Sequence, residues 1–238
     1  MRVKLTLSYD GAKFNGFQRL NNLRSVQKEL EDALSQILGE PIEVKGAGRT
    51  DAKVHANGQV AHFDTNKSIT NLKQKLNLHL PSDLRIKSVM KVKESFHARK
   101  SAKKKEYIYK INLGAYQSSL NDYYHQPRYK LDISLMKDAA DYLLGTHDFH
   151  NFVAGERDDY VTTIYSIDFV KSFGKLEIRF IGTGFYRYMV RNLVGALLEV
   201  GKCKIRGSVI KEMLDNPNES KTLPTAPAEG LYLNKVWY

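Results

Sequence analysis

The chain has 238 residues, 42% hydrophobic and 26% charged, with 37 Lys and Arg against 26 Asp and Glu and a formal net charge of +11. That length holds one large domain or two small ones, each with a core. No apolar run reaches membrane-spanning length. The single cysteine, Cys203, excludes an intrachain disulfide framework and any multi-cysteine zinc site. The basic balance, with 14 Tyr and 10 Phe, points to a nucleic-acid partner, because cations meet phosphates and rings stack on bases. The first residues, MRVKLTLSYDG, alternate apolar and polar and lack the continuous apolar core of a signal peptide, so a cytoplasmic location is expected.

In chain order, Arg2 to Tyr9 reads as a strand with Val3, Leu5, Leu7 and Tyr9 on one face. Ser25 is the expected N-cap of a helix whose stripe is Val26, Leu30, Ala33, Leu34, Ile37 and Leu38, stopped by Gly39 and Pro41. A strand at about 42–46 leads into the loop GAGRTDAKVHA, and a strand at about 58–64 follows. A second helix is predicted over about 71–79, then the strand LRIKSVMKV. This β-α-β-β-α-β order is the split βαβ, ferredoxin-like arrangement.

The second half repeats the order. EYIYKINL is a strand, and Asp132 caps a helix ended by Gly145. Strands at about 162–170 and 175–182 precede a helix from about Tyr186 to Val200. A short helix opens at Ser208, and GLYLNKVWY is the last strand. The predicted fold is α+β, with two ferredoxin-like halves, 1–104 and 105–238, sharing an extended mixed or antiparallel sheet. The junction, KVKESFHARKSAKKKEYIYK, is rich in lysine and runs into Tyr107 and Tyr109, a pattern suited to RNA contact. The plain alternative is a solvated charged face.

Standard catalytic motifs are few. There is no phosphate loop, and GAGRTD is not the dinucleotide fingerprint. His147 and His150 lack a convincing ligand set and read as loop histidines. Asp51 is the candidate that remains. By itself it reads as the cap of a helical turn or an Asx turn. Against that stand Arg49, able to hold a carboxylate ionised or to bind phosphate, and Gly46 and Gly48, which permit a strained loop and close approach of a ligand. On the late helix, Arg187 and Arg191 are four apart and are predicted to share a face with Gly195, which leaves room for another element.

These residues resemble the tRNA pseudouridine synthase A family. GAGRTDAKVHANGQVAHF resembles its motif GRTDxGVHA. YDGAKFNGFQ, SVQKELEDAL, SFHARKSAKKKEYIY, GTHDFHNF, GFYRYMVRNLVGALLEVG and TAPAEGLYL resemble further blocks in the same order. The resemblance implies the pseudouridine synthase fold and isomerisation of uridines 38 to 40 in the anticodon stem-loop of tRNA. It implies a homodimer with no cofactor and no metal. It also implies that Asp51 is the essential carboxylate, that Tyr107 contacts the target base and that Arg191 pairs with the aspartate. Arg49 is the second choice for that pairing and is otherwise expected on the RNA backbone or the flipped base. Two positions depart from the family pattern: Lys53 replaces the usual Gly and Phe17 the usual Trp. A Gly at position 53 with positive φ would leave Lys53 strained. A non-catalytic RNA-binding protein on the same scaffold is the alternative. A hydrolase or nuclease would want a metal cluster or a histidine base beside the aspartate.

Overall fold

The computed structural model describes residues 1–217, 219 and 222–238. Its elements are β1 (Arg2–Tyr9), α1 (Val26–Leu38), β2 (Lys45–Gly46), β3 (His55–Asp64), α2 (Leu72–His79) and β4 (Leu84–Val92). They continue with β5 (Lys104–Asn112), α3 (Ile133–Ala140), β6 (Gly145–Asp148), β7 (Val161–Ser172), β8 (Lys175–Gly182), α4 (Met189–Gly201), α5 (Ser208–Asp215) and β9 (Leu231–Trp237). The chain divides into two compact units, Met1–Lys103 with Tyr232–Tyr238, and Lys104–Leu231. Both are α+β, as the element order predicts. No described helix is long and apolar enough to cross a membrane.

In the first unit β1 pairs antiparallel with β4 on one side and β3 on the other, and β2 pairs with β3, which is the strand arrangement of the split βαβ fold. β9 runs parallel to the start of β3, with His55 opposite Tyr232, so this sheet is mixed. The period-two pattern of β1 is realised: Val3, Leu5, Leu7 and Tyr9 are buried and their neighbours are half-buried. α1 buries Val26, Leu30 and Leu34 completely. Each such aliphatic side chain contributes about 1.5–3 kcal/mol by leaving water. Gly39 ends α1 in the left-handed conformation at φ 69°. Ser25 occupies the cap position but caps nothing with its side chain. The first amides of α1 are satisfied by backbone instead, Val26 N–H by the Gly16 carbonyl and Gln27 N–H by that of Phe17.

The second unit orders its own strands β5-β8-β7-β6, all antiparallel. Asp132 does cap α3, accepting from Leu135 N–H at 3.1 Å. The helix ends earlier than predicted, at Ala140, and is followed by one 3-10 turn to Leu143 and an exposed Leu144 before Gly145. Gly145, at φ 99°, opens the short edge strand β6 in a segment that reads from sequence as loop. α4 begins at Met189, three residues later than predicted, because Tyr188 before it is left-handed at φ 61°.

Candidate active site

The GAGRTDAKVHA loop leaves β2 and enters β3, which starts three residues earlier than predicted, at His55. Between them Asp51, Ala52, Lys53 and Val54 form a turn closed by Val54 N–H donating to the Asp51 carbonyl at 3.2 Å. It is a turn and not a helical cap. Lys53, its third residue, has φ 65°, the conformation that favours glycine there. The strain expected from the departure at this position is therefore present. Gly46 and Gly48, expected to supply unusual backbone angles, do not have positive φ. Gly46 is small for a packing reason, since a Cβ there would overlap the buried Phe17 ring.

The segment after β1 wraps the loop from outside. Phe17 N–H donates to the Thr50 carbonyl and Lys53 N–H to the Phe14 carbonyl, both at 3.1 Å. Gly11 and Gly16 lie so close that a Cβ on either would strike the carbonyl of Val54 or Thr50. Gly11 N–H donates to Nδ1 of the buried His55 at 2.9 Å, with Asp10 Oδ1 3.3 Å from the same nitrogen, and the imidazole stacks on Tyr232 at 4.4 Å. From inside, Tyr9 and Gln59 hold Thr50 and Gly48. Within this frame Arg49 is exposed, Thr50 buried and Asp51 half-buried. The loop presents a charged pair from a backbone held on both sides.

In the second unit Tyr107 lies on β5 opposite Phe180, and only 7% of its surface is exposed. Its ring meets Phe185 edge-on at 5.3 Å. Tyr109, expected beside it as a second stacking ring, is fully buried, and its hydroxyl donates to the Pro227 carbonyl at 2.9 Å. Lys105, counted in the basic junction, is also buried on β5. A strand alternates its faces, so residues two apart share the fate of Tyr107. Arg191 stands in the first turn of α4. Its Nε donates to the Ala226 carbonyl at 2.8 Å, Ala226 N–H returns a bond to the Arg191 carbonyl, and the guanidinium lies 4.9 Å from the Tyr188 ring centre. Arg187 precedes the helix, which starts after the left-handed Tyr188, and its guanidinium lies 5.2 Å from the same ring centre, so the two arginines meet on that ring and not on a helix face. Gly195 acts as expected: the Pro224 carbonyl lies where a Cβ would be. No group of His, Cys, Asp or Glu among the described residues could hold a metal ion.

A sequence model described as tRNA pseudouridine synthase matches residues 6–99 and 139–238. The chain belongs to the tRNA pseudouridine synthase family. With membership comes the reaction class, isomerisation of uridine to pseudouridine in tRNA. Among curated relatives, proteins named tRNA pseudouridine synthase A from Anoxybacillus flavithermus, Bacillus pumilus and a Geobacillus species are 45%, 44% and 46% identical. Each alignment spans the whole of this chain and 98–99% of the relative. Asp51, Arg49 and Arg191 fall inside the matched stretches of the family model and Tyr107 outside them. Among solved structures, the archaeal box H/ACA sRNP Nop10-Cbf5 complex is similar at a TM-score of 0.39 and 12% identity, over 82% of this chain and 43% of that one. That likeness is too slight to argue from.

Sequence reasoning missed the support around the family motif. Tyr9 and Gln59 read only as strand residues, and Gly11 and Gly16 only as letters of a family block. The available signal was YDGAKFNG itself, where two glycines stand without any hairpin to explain them.

Proposed function

We propose that this protein converts uridines 38 to 40 of the tRNA anticodon stem-loop to pseudouridine, with Asp51 as the essential carboxylate. What carries the assignment is the Asp51 turn in the family motif, clamped by buried hydrogen bonds. A group that must meet one sugar or one base edge gains from such pre-organisation. The reaction breaks the N1–C1′ bond, turns the uracil and rejoins it through C5, which gives up its proton while N1 gains one. The uridine first leaves its stack, which costs a few kcal/mol, offset by phosphate and stacking contacts. An ionised Asp51 is suited to attack C1′, to add at C6 or to remove the C2′ proton.

Tyr107 contacts the target base, and Arg191 is the cation that keeps the carboxylate charged. Arg49 binds the RNA backbone or the flipped base. The chemistry calls for no cofactor or metal, and the protein works as a cytoplasmic homodimer. The test is incubation of unmodified tRNA transcripts with the protein and with Asp51→Asn, followed by pseudouridine mapping. The parent is expected to modify positions 38 to 40 and the variant none while still binding tRNA. Full activity of Asp51→Asn would remove Asp51 from the chemistry. Binding without any modification by the parent would leave an RNA-binding protein on this scaffold.

A further inference from the structure

A chain of buried polar groups runs behind the Asp51 loop. Tyr9 Oη lies 2.8 Å from Thr50 Oγ1, Gln59 Nε2 donates to the Gly48 carbonyl at 2.9 Å and reaches Tyr9 Oη at 3.5 Å. Gln59 Oε1 accepts from Val60 N–H at 3.1 Å, so every polar atom of the amide is engaged. Tyr9, Thr50 and Gln59 are all buried. Two strands bring them together. Leu7 pairs with Gln59 and Tyr9 with Ala56, so β3 carries one residue more than β1 in this interval. Such a bulge re-aims side chains, and here it accompanies the convergence of Tyr9 and Gln59 on the loop. With Gln59 Oε1 taken by Val60 N–H, the amide offers Tyr9 an N–H donor, and the Tyr9 and Thr50 hydroxyls share one bond in which either oxygen can donate. Burial pushes the Tyr9 phenol up to about 12, which keeps it neutral at any working pH.

We infer that Tyr9, Thr50 and Gln59 are positioning residues for the isomerisation: they fix the backbone at Gly48 and Thr50 and thereby aim Arg49 and Asp51. The inference rests on Asp51 being the reactive group. None of the three needs to touch substrate. Their effect is to remove the alternative loop conformations from which the carboxylate would miss its target. A misplacement of about 1 Å costs on the order of a hundredfold in rate. Such a role lowers the rate of the chemical step far more than tRNA affinity, because Arg49 is one cation among many and the exposed Arg99, Lys100 and Lys103 of the junction are held by none of these three side chains.

The experiment measures single-turnover pseudouridine formation and tRNA affinity for Tyr9→Phe, Thr50→Val, the double variant, Thr50→Ser and Gln59→Met, at a temperature well below each variant's unfolding midpoint. Tyr9→Phe, Thr50→Val and Gln59→Met are expected to slow the chemical step about tenfold to a hundredfold, with tRNA affinity within about twofold of the parent. Thr50→Ser keeps the hydroxyl and recovers most of the rate. The Tyr9→Phe/Thr50→Val double variant is no slower than its slower parent, since both break one link. Unchanged single-turnover rates, multiplying losses in the double, or no rescue by serine would each overturn the inference. Should Tyr9→Phe fail to fold, Thr50→Val against Thr50→Ser decides alone. Asp51→Asn run alongside separates the two claims: if it is active, the Asp51 assignment falls. If it is dead while the clamp variants keep full rate, only the clamp falls.

Discussion

Lys53 occupies the turn position that wants glycine, at φ 65°. An L-residue held there costs about 1–2 kcal/mol. Lys53→Gly removes that cost but loosens the unfolded chain by about 0.4–1 kcal/mol. The expected net result in thermal unfolding is a gain of up to about 1.6 kcal/mol. Lys53→Val, β-branched and worse in this region, is expected to lower stability. A Lys53→Gly variant clearly less stable than the parent would show that the lysine makes a compensating contact. Tyr109 shows the same dependence on surroundings. Spacing paired it with Tyr107 as a stacking ring, yet its hydroxyl serves the Pro227 carbonyl. Tyr109→Phe should therefore cost about 1 kcal/mol of stability and leave tRNA affinity unchanged.

At the scale of elements, α4 and the segment after α5 form one device. The Arg191–Ala226 bonds in both directions and the Thr225 hydroxyl on Asn192 Oδ1 at 2.7 Å tie the helix start to residues some 35 positions later. Gly195 allows that approach one turn further on. Gly195→Ala places a methyl on the Pro224 carbonyl, and the segment must move. The expected loss is about 1–3 kcal/mol of stability, together with reduced isomerase activity, since the same segment seats Arg191. Normal stability and activity in that variant would mean that the segment relaxes freely. The predicted start of α4 failed at Tyr188. The apolar period continues through Tyr186, and nothing local marks a left-handed residue there. The cost of that conformation is met by tertiary contacts, among them Tyr186 Oη on the Val161 carbonyl and the Arg187 carbonyl accepting from Ala154 N–H.

Across the whole molecule histidines set an acid limit, and His62 and His125 are shifted furthest, with His97 lowered in the same direction. Burial first, and then neighbouring positive charge, pushes His62 and His125 down to about 4. His62 spends its Nδ1 accepting from Ala98 N–H at 3.2 Å. An unfolded histidine titrates near 6.5. Between that pH and 4 the unfolded chain binds protons that the folded chain refuses, so stability is full above about 6.5 and falls as pH drops towards 4. Tm should follow that course, and His62→Gln should flatten it; a Tm that peaks near pH 5 would contradict it.

The junction cations also separate by burial. Arg99, Lys100 and Lys103 are exposed, whereas Lys105 is buried. Reversal of Lys100 and Lys103 to Glu should weaken tRNA binding and reduce its salt slope by about one per lysine. An unchanged slope would make the run a solvated face.

The sequence alone determined the α+β class, the faces of β1 and α1, the Asp132 cap and, through seven motif blocks, the family. Those features are local. Period, capping residues and short motifs are written in neighbouring letters, so they survive without knowledge of the fold. Tertiary structure decided which residues support the motif. Tyr9 is far in sequence from Thr50 and Gln59, and Arg191 from Ala226 likewise. What joins them is a strand register with one extra residue and the need of each buried hydroxyl, amide and carbonyl for a partner. Spacing carries no record of register, and a polar letter does not announce its burial. That is why Lys105 and Tyr109 read from sequence as surface, and why the supports of the Asp51 loop became visible only once the strands were paired.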